Sequence, residues 1–333
     1  MSLIVNQLAA RRSSKGVYRF FSAVINNLNW TSDLRLVKSS GFKAIDRALD
    51  FFKRGDKSDV FWTPCLQGPL RVPNHVITVH DCINIEYIYA NDWRLPFFKK
   101  VTQKMINNSV KIVAISESSK KSFLENYYVK DSQVSVIKFA SDFAWIEKER
   151  LSNKNSALIE TPPYILMVTN NLVHKNNLRA VQALVNSNFS KFGISLRIVG
   201  SIGLEECKLL NASGVNFSIH SSLNDTELFE LYSRALFLFS PSLSEGHNLA
   251  IGEALNVGIN VLCSEIPAHI EFYNGMVSFF NQLSVDSMIH SINLAIEKNG
   301  PWFAPNMKLK RTYLDVASDY RQLFLEVQQE CSK

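Results

Sequence analysis

Short apolar runs of four to six residues recur along the whole chain, each bounded by polar, glycine-containing or proline-containing stretches. In the first half they fall at 2–5, 60–63, 75–79, 110–115 and 134–137; in the second at 164–169, 196–200, 216–220, 235–240, 260–263 and 276–280. These runs are nearly continuous in apolar residues rather than alternating, which is the pattern of strands covered on both faces. Between them, at 17–28, 94–107, 117–127 and 225–234, apolar residues recur three and four apart, as on one face of a helix. Strands alternating with helices predict parallel α/β sheets, and two such sets predict two Rossmann-like domains. The stretch 148–163 is polar and ends in Pro162-Pro163, so it is expected to be the linker. The expected division is 1–150, 160–310 and a last helix within 311–333, whose periodicity begins near 308.

Composition narrows the class. With 333 residues, 46% hydrophobic and 20% charged, the chain has enough apolar material for two cores and is not of the disordered type. No apolar run approaches the ~18 residues that a membrane-spanning helix needs. The short apolar run at the N-terminus precedes Arg11 and Arg12, the reverse of a signal peptide. Five cysteines (65, 82, 207, 263 and 331) are odd in number and lack a C-x-x-C pair, so a reduced, cytoplasmic setting is expected, without a zinc or disulfide framework.

Charge is unevenly placed. Residues 1–155 hold 24 Lys and Arg against 14 Asp and Glu, whereas the remainder holds 12 against 16. A basic first half suits an anionic surface, equally a solvated lysine-rich exterior. Two segments mix aromatics with cations: 38–57, where Phe42, Ile45, Leu49 and Phe52 fall at helical spacing, and 93–100, Trp-Arg-Leu-Pro-Phe-Phe-Lys-Lys. Both suit an interfacial membrane contact, and both also suit helices that only cover a core. No nucleic-acid-binding module is recognisable, so no nucleic-acid partner is expected.

The candidate chemistry gathers in a few loops. Glu245 and Glu253 lie in Ser-Pro-Ser-Leu-Ser-Glu-Gly-His-Asn-Leu-Ala-Ile-Gly-Glu-Ala-Leu, residues 240–255, between an apolar strand and a helix that stops at Gly258. A strand-to-helix junction directs backbone N–H groups beyond the carboxyl end of a sheet, which makes an anion site with two acids at its edge. Lys175 begins a helix after the strand 164–169; alone it would pass for a surface lysine. His80 and Asp81 end the strand 75–79, where open sheets place ligands, although a histidine there also serves to bond backbone. Gly16 permits close backbone approach or simply a tight turn. Ser116 suits a helix N-cap.

In register, Pro241, Ser242, Glu245, Gly246, Leu249, Glu253, Ala254, Gly258 and Pro267 resemble the signature of retaining nucleotide-sugar glycosyltransferases of family 4, which have the GT-B fold. His247, Asn248 and Ala250 replace the usual aromatic, glycine and proline. The loop 168–178 resembles the family's Val-Gly-Asn-x-x-Pro-His-Lys-Asn-Leu, with Asn170 where many relatives have arginine. The run 76–81 resembles the strand whose histidine reaches the donor sugar, 13–19 the first glycine loop, 113–120 the strand end whose serine lines the cleft, and Asp142 the aspartate that closes the first domain. The resemblance spans nearly the whole chain.

It implies two Rossmann-like domains facing across a cleft, the first for acceptor and the second for donor, with the last helix crossing back to the first. It implies transfer of a hexose, GDP-mannose being the lead donor, to a lipid-linked or growing glycan of a surface polysaccharide. The enzyme would be peripheral on the inner face of the cytoplasmic membrane and metal-independent, without a cofactor beyond the nucleotide sugar. His80, Glu245 and Lys175 would act in catalysis. Gly16, Ser116, Asn170, Lys175, Gly246, His247, Asn248, Leu249 and Glu253 would line the nucleotide-sugar site, with Glu253 on the ribose hydroxyls. The alternatives are a sugar-nucleotide epimerase of the same fold and a catalytically silent glycan- or partner-binding module.

Overall fold

The apolar runs form two six-stranded parallel sheets in a computed structural model that describes residues 2–7, 15–31, 33–37, 59–66, 68–70, 72–88, 90–140, 144–152, 162–297 and 311–331. The chain divides into two units, Met1–Ala140 with Arg311–Lys333, and Ser141–Lys310.

In the first unit, β1 (Ser2–Val5), α1 (Lys15–Asn27), β2 (Asp33–Leu36), β3 (Val60–Thr63) and β4 (His75–Val79) are followed by a π-helical turn at Asn84–Ile88. Next come α2 (Leu95–Asn107), β5 (Ser109–Ala114), α3 (Glu117–Asn126) and β6 (Val134–Val136). The strand order is β2-β1-β3-β4-β5-β6. Every residue of β3 and β4 is buried, which is why their sequences are apolar without interruption. β2 was not legible as an apolar run. Its Asp-Leu-Arg-Leu lies on the sheet edge with β1 as its one neighbour, and its residues alternate between exposed and half-buried. A buried polar chain fixes the final helix to this sheet: Trp62 Nε1 donates to Thr78 Oγ1 at 3.0 Å, and Thr78 Oγ1 lies 2.8 Å from Tyr320 Oη.

The second unit runs α4 (Ala144–Ser152), β7 (Tyr164–Thr169), α5 (Asn177–Asn186), β8 (Ser195–Gly200), α6 (Leu204–Ser213), β9 (Phe217–His220) and α7 (Asp225–Ser233). It continues β10 (Phe237–Ser240), α8 (Leu249–Val257), β11 (Asn260–Ser264), α9 (Pro267–Tyr273), β12 (Ser278–Phe280) and α10 (Val285–Glu297). The last helix, α11 (Tyr313–Cys331), belongs to the first unit. β7 has both faces buried: Ile165 and Met167 join one core, Tyr164 and Leu166 the other. Residues 148–152 are not linker. They end α4, whose Ile146 packs against Phe229 and whose Arg150 guanidinium donates to the carbonyl of Asn256. The charged surface of that helix hid its buried side in the sequence.

The order of the second sheet, β9-β8-β7-β10-β11-β12, locates a ligand site before any side chain is considered. Renumbered from β7, it reads 3-2-1-4-5-6. The direction of winding reverses between β7 and β10, and in such sheets ligands bind beyond the carboxyl ends of the two strands at the reversal.

Candidate active site

The two loops that leave β7 and β10 are the ones that carry Lys175 and Glu245. They are tied together through backbone and side chains. Leu243 N donates to the His174 carbonyl at 2.7 Å, and Asn176 Nδ2 donates to the carbonyls of Pro241 at 3.1 Å and Gln282 at 2.8 Å. Asn176 takes a left-handed turn, φ 57°, that starts α5. Asparagine tolerates this conformation better than most residues. The first loop is further held by Asn177, whose Oδ1 accepts from Thr169 Oγ1 at 2.7 Å and whose Nδ2 donates to the Asn170 carbonyl at 2.8 Å.

Across these loops Lys175 Nζ lies 2.6 Å from Glu245 Oε1, and Ser242 Oγ donates to the same oxygen at 2.7 Å. The Lys175 and Glu245 side chains are only 18% and 10% exposed, so the pair is shielded from solvent and from salt. Burial pushes the Glu245 carboxyl up, but the Lys175 ammonium, with the bonds from Lys175 and Ser242, outweighs burial and holds the group below the usual carboxylate range. Glu245 is therefore ionised and Lys175 is its counter-ion. Asn170 is exposed at the strand end and presents no charge.

The second loop ends in an unusual helix start. Asn248 stands at the N-cap of α8 with φ 73°, ψ 83° and makes no side-chain cap bond. For a non-glycine residue this left-handed conformation costs on the order of 1 kcal/mol. Its amide instead reaches Ser240 Oγ at 2.9 Å and His269 Nε2 at 3.0 Å. Leu249 follows as the first helical residue. Gly246 and His247 are buried, and the His247 ring packs edge-on against Phe272 at 4.3 Å and near Tyr273. It thus fills the place of an aromatic side chain. Glu253, on the second turn of α8, is buried, and its Oε2 accepts from Tyr232 Oη at 2.9 Å.

Of the first-unit candidates, His80 is half-buried, with its ring against Phe20 and Phe139. Burial pushes its pKa down to about 4, although the bond to Pro64 opposes this. Nε2 lies 2.9 Å from the Pro64 carbonyl, which can only accept, so the neutral ring is protonated at Nε2 and offers the Nδ1 lone pair. Asp81 Oδ1 accepts from Ile83 N at 3.0 Å and shapes the loop after β4. Ser116 is fully buried as the N-cap of α3, accepting from Ser119 N at 3.0 Å. Gly16 lies in the first turn of α1. Residues 13 and 14, residues 38–57 and Asp142 lie outside the described residues.

Two residues that the motifs did not mark hold this site. Gly200 ends β8 at φ 110°, and a Cβ there would stand 1.8 Å from the Thr169 carbonyl, so only glycine lets β8 approach the Lys175 loop. A glycine closing an apolar strand was the available signal. His269 acts through Asn248, 21 residues away, which no local pattern reveals.

Residues 148–308 match the sequence model of glycosyl transferases group 1. The second unit is similar to the group 1 glycosyl transferases. No curated protein matches the chain in sequence. Among solved structures it is similar to HepE of Anabaena in complex with UDP-glucose, 13% identical over 99% of this chain and 98% of that one, with TM-score 0.64. It is similar to the sucrose-phosphate synthase of Thermosynechococcus elongatus, 12% identical over 100% and 97%, with TM-score 0.63. It is also similar to WaaG, a glycosyltransferase involved in lipopolysaccharide biosynthesis, 15% identical over 99% and 98%, with TM-score 0.61. At such identities the likeness establishes the GT-B fold. The group 1 match begins in α4, in agreement with the packing of that helix on the second unit, and together with the fold it supports glycosyl transfer. Among the described residues no group of three His, Cys, Asp or Glu side chains could hold a metal ion, and no helix is long and apolar enough to cross a membrane.

Proposed function

We propose that the protein is a retaining glycosyltransferase that moves a hexose from a nucleotide diphosphate sugar to a hydroxyl of a lipid-linked or growing glycan. The observation that carries this reading is the Lys175–Glu245 pair, supplied by the two loops at the winding reversal of the second sheet. A nucleoside diphosphate entering there meets the ammonium of Lys175 and the uncapped start of α8, both of which favour negative charge. As the diphosphate draws Lys175 away, Glu245 is left ionised beside the sugar. A fixed carboxylate stabilises the positive character that develops at the anomeric carbon as the bond to the diphosphate breaks. Glu253, already oriented by Tyr232, would accept from the ribose hydroxyls. His80, with its Nδ1 lone pair, would accept from a hydroxyl of the donor sugar.

GDP-mannose is the lead donor from the motif resemblance, and UDP-glucose is the second because HepE is seen with it. A thermal-shift panel of UDP-, GDP- and other nucleotide sugars tests the reading, since a ligand at ~100 times its dissociation constant stabilises by ~2.7 kcal/mol. One donor class is expected to raise the melting temperature. His80→Ala should bind the corresponding nucleoside diphosphate normally yet lose transfer by about 10²-fold, the scale of a positioned catalytic group. A flat panel would overturn the proposal. So would conversion of the donor into an epimeric nucleotide sugar without acceptor, which is epimerase chemistry.

The acceptor side of the proposal includes an anionic membrane surface. Trp93 is 88% exposed, Phe97 66% and Tyr128 92%. Trp93, Phe97 and Lys100 recur at helical spacing across the start of α2. Tyr128 is held near that helix by two bonds with Gln103, at 2.8 and 3.0 Å. Lys99, Lys100, Gln103, Asn126 and Tyr128 line one hollow. Inserted rings supply an apolar contact, and each lysine near an anionic leaflet adds about 1 kcal/mol. The protein is expected to co-sediment with anionic liposomes, less so at high salt, and more with anionic than with neutral vesicles. Lys99→Glu with Lys100→Glu should abolish sedimentation and leave donor binding intact. Equal recovery with neutral and anionic vesicles, or none with either, would make this face ordinary solvated surface.

A further inference from the structure

We propose that His269 is a positioning residue of the donor site: by accepting from the Asn248 amide it keeps that side chain from capping α8, so that the first N–H groups of the helix stay open to the donor diphosphate. The inference rests on the donor site proposed above and adds to it a residue from outside the motif.

The hydrogen-bond directions are fixed by chemistry. His269 Nδ1 lies 2.8 Å from the Ser264 carbonyl, which can only accept, so Nδ1 carries the proton. The ring is fully buried and neutral, and its Nε2 is therefore an acceptor. Asn248 Nδ2 must be the donor across their 3.0 Å contact, and its other hydrogen goes to Ser240 Oγ at 2.9 Å. This assigns the amide orientation as well as the imidazole tautomer. Both amide hydrogens thus lead away from α8, to β10 and to α9. Tyr273 Oη completes the restraint by donating to the Asn248 carbonyl at 3.1 Å.

Asparagine is among the best helix N-caps, normally with extended backbone and its side-chain oxygen on the N–H two or three residues on. Here it has φ 73° and makes no such bond. Without His269 the ordinary cap becomes available. Asn248 would swing to the extended conformation, cover the N–H groups of α8 with its own oxygen, and shift Glu245, three residues before it. A glycine at this position, as in the pattern that residues 240–267 resemble, has no side chain with which to cap the helix. Asparagine at 248 makes the restraint from His269 necessary.

The test is a double-mutant cycle read by calorimetry with UDP and GDP, and by the donor KM and kcat for the nucleotide sugar that the panel selects. His269→Ala should weaken nucleoside diphosphate binding about tenfold, the size of one helix cap, and raise donor KM in step while kcat changes little. In the Asn248→Gly background, which has no side chain to cap α8, His269→Ala should have no further effect on binding. His269→Gln, whose side-chain oxygen can accept from Asn248, should bind like wild type. If His269→Ala does not fold, Asn248→Ser gives the same information: it can cap α8 but not reach His269, and should bind less well than Asn248→Gly. A merely structural His269 would weaken binding equally with asparagine or glycine at 248. Equal losses in the two backgrounds, or no loss in either, overturn the proposal. Wild-type protein that binds neither UDP nor GDP removes the donor site and this inference with it, whereas wild-type binding with an unaffected His269→Ala removes only the inference.

Discussion

Lys175→Ala is expected to lower turnover about 10²–10³-fold with the cognate donor, the range found when one preorganised charge or donor is removed from a site shielded from water. Lys175 is the cation contributed by the loop after β7, and Asn170 adds no second charge there, so nothing in that loop replaces it. The loss should appear in kcat as well as in donor affinity, because charge on the departing diphosphate grows as the bond breaks. The substitution has a second consequence. Glu245 is only 10% exposed, and Lys175 is the main influence holding its carboxyl down against burial. Without the ammonium, burial raises the Glu245 pKa and an unpaired carboxylate destabilises the unit. Adding Glu245→Gln to Lys175→Ala should therefore recover melting temperature without recovering activity. Lys175→Arg should retain part of the binding, since the charge remains but the guanidinium does not present the same compact group. Wild-type turnover in Lys175→Ala would take this lysine out of the chemistry.

Acid is expected to unfold the protein well above the carboxylate range. Burial holds five imidazoles neutral: His75 and His247 are pushed down to about 3, and His80, His174 and His269 to about 4. The unfolded chain takes up protons on these groups near pH 6.5, whereas the folded chain does not until far lower. Between those limits the unfolded state binds more protons, so stability falls as pH falls. Each imidazole contributes up to about 1.4 kcal/mol per pH unit below 6.5. Several together rival the ~5–15 kcal/mol by which domains are stable. Denaturant midpoints should be level from pH 7 to 8 and drop steeply from pH 6.5 to 5. His75 makes the case most plainly: it is fully buried, with Nε2 2.8 Å from Thr63 Oγ1. His75→Phe should flatten part of the slope. A midpoint that stays constant down to pH 5 would mean that these rings accept protons in the folded state.

Much of this was legible in the sequence because burial on both faces of a parallel sheet writes a plain signal. β1, β3, β4 and β7 have the bounds that their apolar runs predicted, and α8 starts at Leu249 and ends before Gly258 as the motif implied. β2 and α4 escaped for opposite reasons. β2 is an edge strand with polar residues on its open side, and α4 is a charged helix with one narrow buried face. The candidate site divides in the same way. Lys175 and Glu245 could be placed because each sits at a strand-to-helix junction, although their direct contact could not be foreseen. Ser116 was legible as a cap, and the bond from Ser119 N shows it in that role. His269 gave no signal, since its importance comes from Asn248, 21 residues away, and from the left-handed turn that the pair maintains.

The central claim is that a nucleoside diphosphate binds at the winding reversal of the second sheet, between the loops of Lys175 and Glu245. Titration of UDP and GDP into wild type, Lys175→Ala and Glu253→Gln by calorimetry tests it most directly. The account predicts one site in the wild type for at least one of the two nucleotides, and affinity about tenfold or more weaker in each variant, with both variants folded, for a loss of roughly 1.4 kcal/mol or more. Binding that is absent from wild type, or equally tight in all three proteins, would contradict it.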